Sequence, residues 1–328
     1  MKILLVGATG AIGRRRLVPL LVGAGHTVTG TTRQADKAML IYSSGATPLV
    51  VKALNADELL KAVRQAAPDV IIHQLTAIPA RFNMRHFDQE FASTNRLRIE
   101  GTDNLLAAAR AAGCRRFIAQ SYTGWPYARD GGWIKTEKDP LLSSPDSGSR
   151  ESFKAIVHLE STVLGDKAIQ GFVLRYRTFY GPGTSLGMGG SALEDIKQRR
   201  IPIVGKGTGY WSFIHIDDAA AATLAAVGGN TPGLYNITDD EPAPVSEWLP
   251  FLAGVLGAKP PRHLAAWLGR LAIGQHGLAM MTTARGANDK AKSLLPWKLQ
   301  WPTWREGFRE GLKDRDQQVR SGATSQVA

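Results

Sequence analysis

One cysteine, Cys114, is all that the 328 residues contain. Its isolation excludes an intramolecular disulfide and any zinc site built on cysteines, and it fits a reducing compartment. Also lacking is an apolar run of about 18 residues, the length a membrane-spanning helix needs. The opening MKILLVGATG passes straight into an apolar strand, without the charged and cleavable segments of a secretory signal. Together these absences make a cytoplasmic location the expectation, with no membrane partner and no metal. Internal repeats and low-complexity tracts are missing too, and only the polar stretch 314–328 is expected to be disordered. Acidic residues are the scarcer charge, 28 against 40 basic ones, for a net +12. The basic clusters Arg14-Arg15-Arg16 and Lys197 to Arg200 fall in helical stretches. That favours solvated faces and an anionic small ligand over a nucleic-acid groove.

What is present is alternation. Short apolar runs (KILLVGA, HTVTGTTR, ATPLVVKAL, PDVIIHQLT, RRFIAQS, GFVLRYR) are separated by amphipathic stretches such as ADELLKAVRQA and the long segment from Phe91 to Ala112. Strands interleaved with helices predict a doubly wound α/β fold of Rossmann type around a parallel sheet. After Tyr176 the chain becomes rich in Gly and Pro, which predicts a smaller lobe. WSFIHIDDAAAATLAAV reads as a strand and helix returning to the first domain. The expected division is 1–175 and 211–238 for dinucleotide binding, with 176–210 and 239–313 forming a discontinuous substrate lobe.

The first strand runs into GATGAIG and then a helix. Glycines at Gly7, Gly10 and Gly13 allow a tight turn, a close backbone approach to a pyrophosphate and close helix–strand packing, and the helix N-terminus adds N–H groups. Thr9, Ala11 and Ile12 complete that expected cradle. At the end of the second strand an acid would hold the ribose hydroxyls of NAD, but here Thr32 is followed by Arg33, with Lys37 a turn away. A guanidinium suits a 2′-phosphate, so NADP(H) is the expected cofactor, with Arg14 a second candidate phosphate ligand.

These residues resemble the extended branch of the short-chain dehydrogenase/reductase superfamily, the NAD(P)-dependent epimerase/dehydratase-like proteins. The likeness covers nearly the whole chain. GATGAIG is similar to the family's glycine turn, HQLTAIP to its fourth-strand segment, and STNRLRIEGTDNLL to its N-x-x-G-T-x-N-L-L helix. LRYRTFYGPG, GKGTGYWSFIHIDDAAAA and LYNITDDEPAPVSEW follow in the family's order. The resemblance implies that Leu75, Thr76 and Ala77 pass under the cofactor, that Asn95 braces the sheet, and that Tyr176 and Thr178 line the nicotinamide side.

The chain also departs from that pattern. The family's Ser or Thr after strand five falls at Tyr122, flanked by Ser121 and Thr123, any of which offers a hydroxyl to polarise a substrate oxygen. Where the family carries a tyrosine and, four residues on, a lysine, aligning HLES with the family's K-L-E-A places Lys154 and His158. No tyrosine occurs between Tyr127 and Tyr176, so no register restores the pair. Lys154 and His158 share a helix face at i, i+4. Either they have taken over proton transfer, or Lys154 is solvated and His158 touches the ribose. Trp211 stands where nucleotide-sugar members place a diphosphate-gripping arginine, and an indole offers one N–H and no charge. Trp125, Tyr127, Phe179 and Trp211 are the expected substrate contacts, which suits a compact apolar or aromatic molecule. The expected activity is NADP(H)-dependent reduction of a small carbonyl-type substrate. An epimerase or dehydratase with recycled nicotinamide, and a non-catalytic NADP(H)-sensing protein, stay open beside it. A homodimer through the helices around Phe91–Ala112 and Ser152–Leu164 is compatible with the sequence.

Overall fold

A computed structural model describes residues 1–287 and 291–313. The stretch 314–328, expected to be disordered, lies outside the described residues. Seven strands form one sheet: β1 (Lys2–Val6), β2 (Thr27–Thr32), β3 (Thr47–Val50), β4 (Val70–His73), β5 (Arg116–Tyr122), β6 (Gln170–Tyr176) and β7 (Gly233–Ile237). Their spatial order is β7-β6-β5-β4-β1-β2-β3, and every pairing is parallel. The order reverses between β1 and β4, so a crevice opens beyond their carboxyl ends, where sheets of this kind bind ligands.

The central strands β1, β4, β5 and β6 are largely buried because both faces of the sheet are covered there. Ile3 and Leu5 point to one side, against α1 (Val18–Gly23) and α5 (Ile216–Gly228). Leu4 and Val6 point to the other, against α2 (Ala56–Ala66), α3 (Ala92–Ala111) and α4 (Arg150–Gly165). A third core gathers Tyr180, Phe213, Trp248, Trp304 and Phe308.

Of the strand and helix expected from WSFIHIDDAAAATLAAV to return to the first domain, the strand Phe213–His215 pairs with Thr178–Tyr180 in a two-stranded sheet separate from the main one. Phe213 is drawn there by aromatic partners, with Trp248 at 5.3 Å and Phe308 at 5.2 Å between ring centroids. The helix after it, α5, does cover the sheet, and the last sheet strand is β7, beside β6. A sixth helix, α6 (Ala266–Thr282), is kinked at Gly274 and carries His276 and Met280 towards the residues that follow β5. Among the described residues no helix is long and apolar enough to cross a membrane.

Candidate active site

The glycine turn sits at the crevice. Gly7 has φ +94°, and a Cβ there would lie 2.9 Å from the carbonyl oxygen of Gln74, just after β4. At Gly13 a Cβ would fall 2.5 Å from the oxygen of Ala8, so the helix could not pack this close with any other residue. Thr31 secures the turn, accepting from Gly7 N at its hydroxyl and from Ala8 N at its carbonyl, both at 3.1 Å. Ile12 is buried in the core, whereas Thr9 is half-buried and Gly10 and Ala11 are exposed. The open backbone therefore fits a diphosphate.

At the end of β2, Thr32 is buried and its hydroxyl closes a turn with Gln34. Arg33 projects from that turn, exposed and without a partner among the described residues; Arg14 and Lys37 are partly exposed. At the end of β4, His73 accepts from Leu75 N at Nδ1 (3.2 Å), which leaves Nε2 to donate to Thr102 at 3.1 Å. Burial lowers the His73 pKa to about 4, so the ring is neutral. Ala77 N donates to Thr94 Oγ1 at 3.0 Å, Leu75 is half-buried and Thr76 is exposed.

A hydroxyl can give only one proton, and following each proton separates the candidate hydroxyls around the ends of β5 and β6. Ser121 donates to Glu160 at 2.6 Å, in a buried fork with Arg175, whose Nε and Nη2 reach the same carboxylate at 2.7 and 2.5 Å. Thr123 donates to Asn236 Oδ1 at 2.9 Å, and so does Tyr127, at 3.0 Å. Thr223 gives its proton to Ala219 O, so the Tyr176 phenol donates to Thr223; burial pushes its pKa up to about 12. Tyr122 differs. Its oxygen accepts from Arg177 Nη1 at 3.0 Å, and its own proton has no acceptor among the described residues. The expectation that Ser121 or Thr123 would share this role is thus corrected, because both protons are held inside the fold.

On α4 the structure agrees with a solvated Lys154 and turns neither Lys154 nor His158 inward. The helix's buried face is Ser152, Ala155, Ile156, Leu159, Glu160 and Val163. Lys154 lies on the opposite side, 61% exposed and paired with Glu151, and His158 reaches outward to Asp103 at 2.8 Å. Among the inward i, i+4 pairs, Ser152 and Ile156 lie two residues before Lys154 and His158. Ser152 donates to Asp88 and accepts from Asn95, so Asn95 ties α3 to α4 instead of bracing the sheet. Ile156 belongs to an apolar cluster with Phe87, Phe91, Trp125 and Met280, against which Tyr122 and Trp211 pack.

Of the aromatics expected to touch substrate, Trp125 is in this cluster. Trp211 borders it, its indole N–H donating to Met280 O at 2.9 Å. Tyr127 is 1% exposed, and burial raises its pKa, so it belongs to the interior and not to a substrate surface. Phe179 is partly buried, 5.3 Å from Tyr176, while Thr178 is half-buried in the short strand paired with Phe213. The sequence reading missed several neighbours of Tyr122. The His276 ring lies tilted 4.1 Å from Phe87 and edge-on 4.9 Å from Trp125 between centroids, with its pKa lowered by burial to about 4. Arg98 and Arg177 are both buried, and burial lowers the pKa of each, Arg98 to about 10. An arginine within the apolar LRYR run was the one local signal for Arg177.

The arrangement has recognisable relatives. A model of the NAD dependent epimerase/dehydratase family matches residues 3–238. The chain is 41% identical over 310 residues to a 3-diazoavenalumate denitrifying reductase of a Streptomyces species, covering 94% of this chain and 99% of that protein. It is 27% identical over 274 residues to a 2-alkyl-3-oxoalkanoate reductase of Stenotrophomonas maltophilia, covering 79% and 76%. Among solved structures, the Thermotoga maritima UDP-glucose 4-epimerase with UDP-glucose matches with a TM-score of 0.75 at 19% identity, over 98% of this chain and 100% of that one. A human epimerase family protein with NADPH matches at 0.72 and 17%, over 95% and 99%. At those identities the two structures share the fold.

Proposed function

The chain belongs to the NAD dependent epimerase/dehydratase family, and from that premise we propose that it is an NADP(H)-dependent reductase of a small aromatic substrate. Both curated relatives described above are named reductases, which supports an oxidoreductase. The cofactor would rest on the turn from Gly7 to Gly13, with Leu75, Thr76, Ala77 and Thr178 along it. Arg33 would take the 2′-phosphate, a group that an exposed guanidinium without an internal partner is suited to hold. The lobe of 176–210 and 239–313 would close over it.

The observation that carries the reading is the inward face of α4. At i, i+4 spacing it presents Ser152, whose proton goes to Asp88, and Ile156, which is apolar. Around them Phe87, Phe91, Trp125, Trp211 and His276 make an aromatic surround in which Tyr122 holds the uncommitted proton. When bound, the nicotinamide supplies a hydride. The protein then has to orient the substrate, exclude water and, for a carbonyl, protonate the resulting alkoxide.

The name of the 41% identical relative favours a particular electrophile. If hydride replaces a diazo group, the new C–H bond forms at the ring carbon and the C–N electron pair leaves on dinitrogen. No alkoxide arises, and a site without a tyrosine–lysine pair can serve. We favour this class, with an aromatic ketone as the alternative that would call on Tyr122. The test is NADPH carrying deuterium at C4, offered with an arenediazonium or an aryl ketone and compared with enzyme-free controls. Deuterium in the product and one NADPH consumed per dinitrogen released are expected. Enzyme-free rates with both substrates would overturn the assignment.

A further inference from the structure

Arg175 and Arg177 stand two residues apart and are held in the same manner, with one difference. Arg175 uses Nη1 on the Tyr127 phenol at 3.1 Å and turns the edge formed by Nε and Nη2 to the Glu160 carboxylate. Arg177 uses Nη1 on the Tyr122 phenol and on Thr123 O, both at 3.0 Å. Its Nε and Nη2 are buried and have no hydrogen-bond partner among the described residues. The side chain is 2% exposed, and among the described residues no carboxylate takes the place that Glu160 takes beside Arg175.

The surroundings are built for this guanidinium. Gly124 has φ +100°, and a Cβ there would lie 2.4 Å from Arg177 Cζ, so only glycine clears the space. The charge lies 5.3 Å from the Tyr122 ring centroid and 5.5 Å from that of Trp211, contacts that help to hold a cation without neutralising it. Burying a charge with three of its five N–H donors unmet is costly, and the group sits just beyond the carboxyl end of β6, on the ligand side of the sheet. Nε–H and Nη2–H point in parallel, the geometry that receives both oxygens of a carboxylate.

We propose that Arg177 is the substrate anchor, and that its free edge takes the carboxylate of an aromatic acid in the way that Arg175 takes Glu160. This rests on the reading of the site as an aromatic reductase and adds the acidic group to its substrate class. The reacting end of such a molecule would lie among Tyr122, Trp125 and Trp211, with its charge at the Arg177 edge.

Calorimetric titration of the full chain, kept saturated with NADP+, with sodium cinnamate and with methyl cinnamate tests the anchor. Cinnamate should bind about tenfold or more tighter than its ester, the scale of a charge-assisted pair. Arg177→Gln should erase that preference, and Arg177→Lys should keep part of it, since an ammonium supplies charge without the fork. NADPH affinity should be unchanged in both variants. Equal binding of acid and ester by the native chain, binding of neither, or a preference that survives Arg177→Gln would overturn the proposal. Acid preference in a protein that reduces nothing would keep the anchor and sink the reductase. Turnover of neutral aromatics without acid preference would do the reverse.

Discussion

Ser121 Oγ donates to Glu160 Oε1 across 2.6 Å of buried interior, and this contact decides which hydroxyl can act. The serine proton neutralises part of a carboxylate already gripped by Arg175, so it is unavailable to a ligand. Ser121→Ala should therefore leave turnover within about threefold while lowering stability by about 1 kcal/mol or more in urea titrations. Tyr122→Phe should divide the substrates: aryl ketone reduction should fall about a hundredfold, the usual scale for a general acid, and diazo removal should stay within a few fold.

The proposed NADP(H) preference rests on Arg33. Its guanidinium is exposed and unpaired among the described residues, so a 2′-phosphate gains a charge-assisted bond without breaking an internal one. Arg33→Ala should weaken NADPH binding about tenfold or more and leave NADH nearly unchanged, as followed by cofactor fluorescence. Equal losses would refute NADP(H) selection.

Lys154 and His158 lie outside the site. Lys154→Ala and His158→Ala should each keep kcat and the Michaelis constant for NADPH within about threefold, because neither faces Tyr122 or the glycine turn. A loss of about a hundredfold in either would show that the helix face has been assigned wrongly.

His73 makes stability depend on pH. Its pKa falls from 6.5 to about 4 in the fold, so between these values the unfolded chain binds a proton that the folded chain does not. Stability therefore rises with pH across that window, and on going from above pH 7 down to about 4 this residue alone should remove on the order of 3 kcal/mol. Urea midpoints measured from pH 4.5 to 7.5 should show a shallower slope in His73→Asn than in the native chain.

The sequence by itself determined the sheet and the cradle. Short apolar runs, amphipathic helices and the GATGAIG turn are local signals, set by sterics and burial within a few residues, and they placed β1 to β6 and the turn at Gly7 correctly. It did not decide which side of α4 faces inward, because the stripe from Ser152 to Val163 contains Glu160. A buried carboxylate looks exposed until Arg175 is found 15 residues away to neutralise it. Phe213–His215 likewise pairs outside the main sheet, among aromatic partners up to about a hundred residues away. The chemistry was the least legible part. Tyr122, Ser121, Thr123 and Tyr127 are equivalent donors on paper, and only the acceptor each one meets in three dimensions shows whose proton is free. In the same way, Arg177 reads as one more of the chain's 40 basic residues, and only the fold shows that its Nε and Nη2 have no partner among the described residues. Local patterns record where a chain turns and what it buries, whereas the pairing of polar groups is settled between segments that the fold alone brings together.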